Sequence, residues 1–174
     1  MRKAFGFVFG SIFIISGCVT MDGASIREGK NGKTAPVIQQ AYASRELHPG
    51  DTWKVFLKAS DFDGDLKTVI ATLGRGESPG PGSHISFTSL KAGDRKEISG
   101  YLYWNSGKSV HVFPAGIMTL QVQDRAGNLS NQVFLSLLFR AGVRQDLPPQ
   151  GIFDEKEIGP IMIAIEPVGG GGAN

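Results

Sequence analysis

The sequence predicts an all-β protein, a single antiparallel β-sandwich of about seven strands. Three observations favour this fold class. Between residues 36 and 141, apolar and polar residues alternate in short segments, and this period of two is typical of strands with one buried face. Turn residues separate the segments, and Gly is frequent at 24 of 174 residues. No window shows a helical period of useful length, so we expect no long helix.

The segments can be followed in chain order. The clearest alternation lies in residues 52–59, where every second residue is apolar. An Asp-rich turn at 61–65 leads into the next apolar segment, and a Gly- and Pro-rich loop at 74–82 follows it. The predicted strands are, in order, 37–43, 52–59, 66–73, 85–87, 95–104, 118–122 and 133–139.

Three short motifs in this region resemble those of bacterial immunoglobulin-like and cadherin-like domains. They are residues 50–53 (Gly-Asp-Thr-Trp), 59–65 (Ala-Ser-Asp-Phe-Asp-Gly-Asp) and 122–128 (Val-Gln-Asp-Arg-Ala-Gly-Asn). In such domains a strand often ends in an Asp-rich turn, and a later strand in Asp-x-Ala-Gly-Asn. The resemblance implies an immunoglobulin-like sandwich. The inter-sheet disulfide of antibody domains cannot form, because the chain has one cysteine.

The N-terminus has the pattern of an export signal. Arg2 and Lys3 precede the apolar residues 4–15, a run shorter than the ~20 residues of a membrane-spanning helix. Residues 15–18, Ile-Ser-Gly-Cys, resemble the bacterial lipobox, which implies cleavage before Cys18 and attachment of diacylglycerol and a fatty acid to its thiol. The alternatives are a plain secretory signal with an incidental cysteine, or a buried structural thiol. Lipidation accounts for the lack of a disulfide partner.

This interpretation anchors the chain to a membrane and divides it into four parts. Val19 rather than Asp follows the cysteine, and in lipoproteins of bacteria with two membranes this implies export to the outer membrane. The parts are a signal peptide at 1–17, the lipidated cysteine with a flexible, Gly-rich tether at 18–35, the sandwich at 36–141, and a Pro- and Gly-rich tail at 142–174.

The charge balance argues against nucleic acid as a partner. The chain has 18 basic and 16 acidic residues, and removal of Arg2 and Lys3 with the signal leaves 16 of each. A neutral chain has no basic field to attract phosphates.

Oxygen donors in two turns form the candidate metal site. Asp61, Asp63 and Asp65 alternate in the first turn, and closely spaced carboxylates are ligands that calcium prefers. If the preceding strands end at the same pole of a sandwich, Asp124 approaches this turn with Asn128 nearby. The alternative is that these residues form turns, because Asp and Asn side chains accept hydrogen bonds from their own backbone.

Residues that could carry catalysis are scattered along the chain. The histidines lack the i, i+4 spacing of a zinc helix, no Gly-x-Ser-x-Gly motif occurs, and Cys18 is assigned to the lipid. We therefore expect no enzyme. A cluster of aromatic residues is compatible with stacking on a sugar or peptide, or with ordinary strand packing. The histidines are His48, His84 and His111, and the aromatic residues are Tyr101, Tyr103 and Trp104.

The tail contains one short apolar strand, residues 161–165, which is too short to span a membrane. It either docks on an edge of its own sandwich or adds a strand to a partner's sheet. The expected function is a non-enzymatic binding or scaffold module with an envelope protein as partner. The alternatives are a structural accessory of a surface or secretion assembly, or a small envelope hydrolase.

Overall fold

A computed structural model describes residues 18–20, 29, 32–74, 82–107 and 115–164. The predicted signal peptide, residues 1–17, lies outside these ranges. Ten strands form within them. They are β1 (Cys18–Thr20), β2 (Val37–Ala43), β3 (Glu46–Leu47), β4 (Thr52–Ser60), β5 (Leu66–Gly74), β6 (His84–Ser89), β7 (Glu97–Asn105), β8 (Ala115–Asp124), β9 (Val133–Phe139) and β10 (Glu157–Pro160).

The strands form two sheets, and the all-β sandwich prediction is confirmed. Sheet 1 has the order β1-β2-β4-β7-β10, and sheet 2 has the order β3-β9-β8-β5-β6. The orders β2-β4-β7 and β9-β8-β5 correspond to strands A-B-E and G-F-C of an immunoglobulin-like sandwich. The sheets are mixed rather than purely antiparallel, because β3 runs parallel to β9 and β10 runs parallel to β7.

The core lies between the sheets and is built from the alternate residues that the pattern predicts to be buried. Trp53 and Trp104 meet edge to face at its centre, with ring centroids 6.5 Å apart. Their indole N–H groups are satisfied, because Trp53 donates to the Ser44 carbonyl at 2.7 Å and Trp104 to the Ile163 carbonyl at 2.8 Å. Both tryptophans therefore specify packing without leaving a buried donor unpaired.

Residues 143–163, hereafter the strap, first cross the outer face of sheet 1. Near the start of β4, the Gln145 side chain donates a hydrogen bond to the Thr52 carbonyl at 2.9 Å. Further along, the Phe153 ring packs on Phe56, with centroids 5.6 Å apart. Phe56 points outward from sheet 1, so it owes its burial to this covering segment and to aromatic neighbours on the sheet.

The strap then returns along the open side of the sandwich and connects the two sheets. The Tyr101 amide of β7 donates to the Lys156 carbonyl at 2.8 Å, and the Lys156 ammonium pairs with the buried Asp94 carboxylate. On the side of sheet 2, the Thr88 hydroxyl of β6 donates to the Pro160 carbonyl at 2.8 Å. The strap contributes three side chains to the core, Ile158, Ile161 and Ile163.

The tail therefore docks on its own sandwich, although its strand, β10, precedes the apolar segment predicted at 161–165. In the predicted tether, β1 pairs antiparallel with β2, and Thr34 hydrogen-bonds to Asp63. These described parts of 18–35 contact the sandwich, and the flexible tether stays a prediction for the segment as a whole. No helix in the described ranges has the length and hydropathy needed to cross a membrane.

Candidate functional site

Two turns meet at one end of the sandwich, hereafter the acid pole: residues 61–65 after β4, and residues 124–128 after β8. Leu66 pairs with Asp124 in the β5–β8 ladder, and the Arg125 amide donates to the Asp65 carbonyl at 3.0 Å. The sequence-based expectation that these turns share a pole is confirmed by this register.

Asp124 and Asn128 close their own turn. The Asp124 carboxylate accepts hydrogen bonds from the Asn128 backbone N–H at 2.7 Å and from its side-chain amide at 2.6 Å. Both side chains are buried. Gly29 packs against them so closely that a Cβ at residue 29 would lie 2.6 Å from the Asn128 amide nitrogen. These two predicted calcium ligands therefore perform the turn chemistry of the alternative interpretation.

Asp63 binds the segment that precedes β2. Its carboxylate accepts hydrogen bonds from the Thr34 backbone N–H at 2.6 Å and from the Thr34 hydroxyl at 2.7 Å. These bonds favour the ionised form and lower the pKa of Asp63 below its ordinary value. A contact 29 residues away in the chain gives no local sequence signal.

Asp61 and Asp65 form the under-satisfied part of the acid pole. Asp61 is 3% exposed, and its second oxygen accepts a hydrogen bond from the Asp65 amide at 2.9 Å. The other oxygen of Asp61 and one oxygen of Asp65 are buried without a hydrogen-bond donor. Within the described ranges, the Lys33 ammonium lies 3.8 Å from the second oxygen of Asp65. Burial, the hydrogen-bonded carboxyl of Asp61 and the charge of Asp124 raise the pKa of Asp65 to about 6.

The acid pole thus brings the predicted calcium ligands into one region but gives them different partners. Across the described residues, no group of three or more His, Cys, Asp or Glu side chains is arranged to hold a metal ion. Calcium binding by Asp61, Asp63, Asp65, Asp124 and Asn128 stays a prediction.

A cavity of about 490 Å³ opens beside the acid pole. The Phe62 ring on its wall is 79% exposed, and Lys96 and Glu97 bring charges of both signs to its lining. Asp61 of the acid pole also lines the cavity.

Among the described residues, the aromatic and histidine candidates lie in or beside strands. Trp104 lies in the core, whereas Tyr101 and Tyr103 point outward from sheet 1, as the alternation predicts. The Tyr101 ring packs against Phe56 at a tilt of 54° and is covered by the Lys54 ammonium, 4.4 Å from its centroid. Strand packing therefore accounts for Tyr101 and Trp104. For the histidines, His48 accepts a hydrogen bond from the Gly142 amide, His84 begins β6, and His111 lies outside the described residues.

The sequence motifs do not mark the outer face of sheet 2. Its outward side chains from Thr68 onward in β5, and throughout β6, β8 and β9 as described, include no Asp, Glu, Lys or Arg. Charge occurs at its β3 edge, where Glu46 lies beside Leu138 and forms an ion pair with Arg140 at 3.3 Å. Three large apolar side chains are exposed on it: Phe87 at 66%, Ile85 at 52% and Phe134 at 42%. We call this surface the uncharged face, and its outward residues are Thr68, Ile70, Thr72, Ile85, Phe87, Ser89, Ile117, Thr119, Gln121, Gln123, Phe134, Ser136 and Leu138.

The outer face of sheet 1 differs in two ways. It carries charged side chains, Lys54, Lys58 and Glu97, of which Lys58 and Glu97 lie 3.9 Å apart. It is also crossed by the strap. The signal for the uncharged face was present in the sequence as the lack of Lys and Glu at alternate positions of strands that otherwise show a half-buried pattern.

No protein-family model matches the chain, and no curated protein matches it.

Proposed function

We propose that this protein is a lipid-anchored, non-enzymatic binding module of the cell envelope, held through Cys18, that docks a partner on its uncharged face. The observation that carries the proposal is the exposure of Phe87, Ile85 and Phe134 on a sheet face whose charged pair, Glu46 and Arg140, lies at one edge. Water solvates large exposed apolar side chains unfavourably, which favours an interaction site on the face that carries them.

The contrast between the two sheets supports a docking role for sheet 2. In sheet 1 the outward aromatic residue Phe56 is covered by Phe153 of the strap. On sheet 2, Phe87 and Phe134 have no comparable cover among the described residues. A partner surface would cover Phe87 and Phe134 on sheet 2 as the strap covers Phe56 on sheet 1.

The position of β1 orients the domain on a membrane. Cys18 pairs with Tyr42, near the end of β2, whereas the acid pole lies beyond Val37 and Ser60 at the other end. A lipid on Cys18 would therefore attach the sandwich to the membrane at the end opposite the acid pole. The strands would then rise from the bilayer. The uncharged face is then accessible from the side, to another protein on the same membrane.

The anchor has a direct test. We expect labelled palmitate to be incorporated by the native chain and not by Cys18→Ser, and we expect Cys18→Ser to leave the membrane fraction. Incorporation of label by Cys18→Ser would overturn the assignment, because the chain has no other cysteine.

The docking face is tested by photo-crosslinking in cells. A photoreactive phenylalanine analogue at position 87 or 134 should give an adduct of discrete mass, and the same analogue at Phe62 should not. Phe62 is the matched control, since it is 79% exposed but lies at the acid pole. A second variant, Ser136→Arg, places a charge at an exposed position of the face and should abolish the adducts. Absence of adducts at both face positions would overturn the docking role.

A further inference from the structure

We infer that the occupant of the uncharged face is a second copy of this chain, packed face to face about a two-fold axis parallel to the strands. The inference rests on the docking role proposed above and names its partner. It is carried by the lack of charge on the face, by the size of the face and by the position of the anchor.

Charge complementarity favours a second copy. In a two-fold dimer the same patch occurs on both sides, so any charge near the axis faces its own like charge. The outward residues of β5, β6, β8 and β9 that define the face carry none, and its central row pairs Thr72 with Thr119. The Glu46–Arg140 pair lies at the β3 edge, away from the axis. An anionic membrane or a nucleic acid would instead require basic side chains on the surface, which this face lacks.

The size of the face fits a weak dimer. Four strands at ~4.8 Å spacing and roughly seven residues at ~3.3 Å give a projected area on the order of 450 Å² per copy. Both copies together bury about 900 Å², close to the lower limit of specific interfaces at about 1,000 Å². Two copies anchored in one membrane have a raised effective concentration, which populates a dimer too weak to persist in dilute solution.

The anchor selects the axis. Two lipids can enter the same bilayer only if the two-fold axis is normal to the membrane. Because Cys18 lies towards the end of β2 that is away from the acid pole, the strands themselves rise from the membrane. An axis parallel to the strands therefore keeps both anchors on one side, whereas an axis perpendicular to the strands would place them at opposite ends of the dimer.

This axis makes a specific prediction about neighbours. It places β6 of one copy over β9 of the other, and it keeps each row of residues at the same height. Ile85 and Phe134 share the row of Thr72 and Thr119, so Ile85 of one copy lies over Phe134 of the other. Facing sheets are ~10 Å apart, whereas two Ile85 residues would be separated by roughly 17 Å once the lateral displacement is included.

The test uses thiol cross-linking in intact cells with full-length chains that carry two different tags. Ile85→Cys in one copy and Phe134→Cys in the other should be joined by a bismaleimide of about 10 Å reach, matching the sheet spacing. We expect several-fold more dimer from the mixture than from either variant alone. The parent chain is the control for Cys18, and Lys54→Cys on the outer face of sheet 1 is the control for random collision.

Each outcome decides the matter. Cross-linking of the mixture above all controls supports the dimer. Equal yields from the mixture and from Lys54→Cys overturn it, and efficient cross-linking of Ile85→Cys to itself overturns the axis. If photo-adducts form at position 87 but contain a different protein, the docking role stands and the second copy is excluded.

Discussion

Replacing Gly100 with alanine is expected to detach the strap from β7 and to lower the free energy of unfolding by about 3 kcal/mol. A Cβ at residue 100 would lie 2.2 Å from the Lys156 carbonyl oxygen and 3.2 Å from the Ile158 side chain. The first distance is shorter than any contact that real side chains make, and its partner is backbone. The strap must therefore move away along its whole contact with β7.

The expected loss is large because the strap has several coupled attachments. The Lys156 carbonyl that the new methyl group would meet also accepts the hydrogen bond from Tyr101. Displacement breaks this bond, weakens the Lys156–Asp94 pair, and partly exposes Ile158, Ile161 and Ile163, whose full burial is worth about 1.5–3 kcal/mol each. The buried carboxylate of Asp94 would then lack its cation.

The measurements are denaturant unfolding and hydrogen exchange. Gly100→Ala should lose amide protection at Tyr101, which donates to the strap, and at Ile161, which donates from the strap to β7. Amides that pair β5 with β8 should stay protected. Gly93→Ala is the matched control, because a Cβ there meets nothing within 4 Å. Gly159→Ala, whose Cβ would meet the movable Thr88 side chain at 2.8 Å, should show a smaller loss.

Stability of Gly100→Ala equal to that of Gly93→Ala, with Tyr101 still protected, would contradict this account of the strap. If Gly100→Ala does not fold, Gly159→Ala still tests the attachment, since its clash involves a side chain that can rotate. An unaffected Gly159→Ala together with an unfolded Gly100→Ala would place the defect within β7 itself.

The sequence predicts the strands of this fold well wherever each strand buries one face. Residues 52–59 alternate between core and surface, and the structure has β4 at Thr52–Ser60. The two-residue β3 is too short to show any period, and the β10 pairing depends on a chain that first crosses sheet 1. The parallel pairing at one edge of each sheet is equally invisible, because a residue pattern does not encode the direction of the neighbouring strand.

For the acid pole, the sequence predicts which turns meet, but it does not predict which residues donate hydrogen bonds or supply a cation to their carboxylates. Topology places Asp124 beside Asp65, since the strands before the two turns end at the same pole. Thr34 and Lys33 lie in a segment read as tether, and their contacts with Asp63 and Asp65 depend on how that segment packs. Long-range polar contacts of this kind have no periodic signal.

Asp65→Asn is expected to stabilise the protein at pH 7 by about 1–2 kcal/mol and to leave its stability unchanged below pH 4. The pKa of Asp65 in the folded chain is about 6, against an ordinary value of 3.8. The folded state therefore binds this proton more tightly than the unfolded state does. Stability falls as the pH rises from about 4 to about 6, and above that range the full cost of the buried charge is present. Because its side chain is 17% exposed, water offsets part of this cost.

Asp63→Asn is the matched control with the opposite sign. The pKa of Asp63 is lowered by its hydrogen bonds from Thr34, so its contribution is present above the ordinary pKa and is lost as the pH falls. We expect Asp63→Asn to be less stable than the native chain at pH 7, with the difference vanishing in acid. Urea unfolding of both variants from pH 3.5 to pH 7.5 measures the two trends side by side. Parallel pH profiles for native chain and Asp65→Asn would contradict the raised pKa.

The native chain and Asp65→Asn together distinguish compensation by a bound proton from compensation by calcium at the acid pole. The unpaired oxygens of Asp61 and Asp65 can be compensated by a proton held on Asp65 or by a cation between them. If calcium binds, it must raise the melting temperature of the native chain relative to chelator, because a ligand of the folded state adds stability. Asp65→Asn would then lose this response and would gain no stability when calcium is present. A native melting temperature that is the same in calcium and in chelator, together with a stabilised Asp65→Asn, excludes calcium and assigns the compensation to the proton.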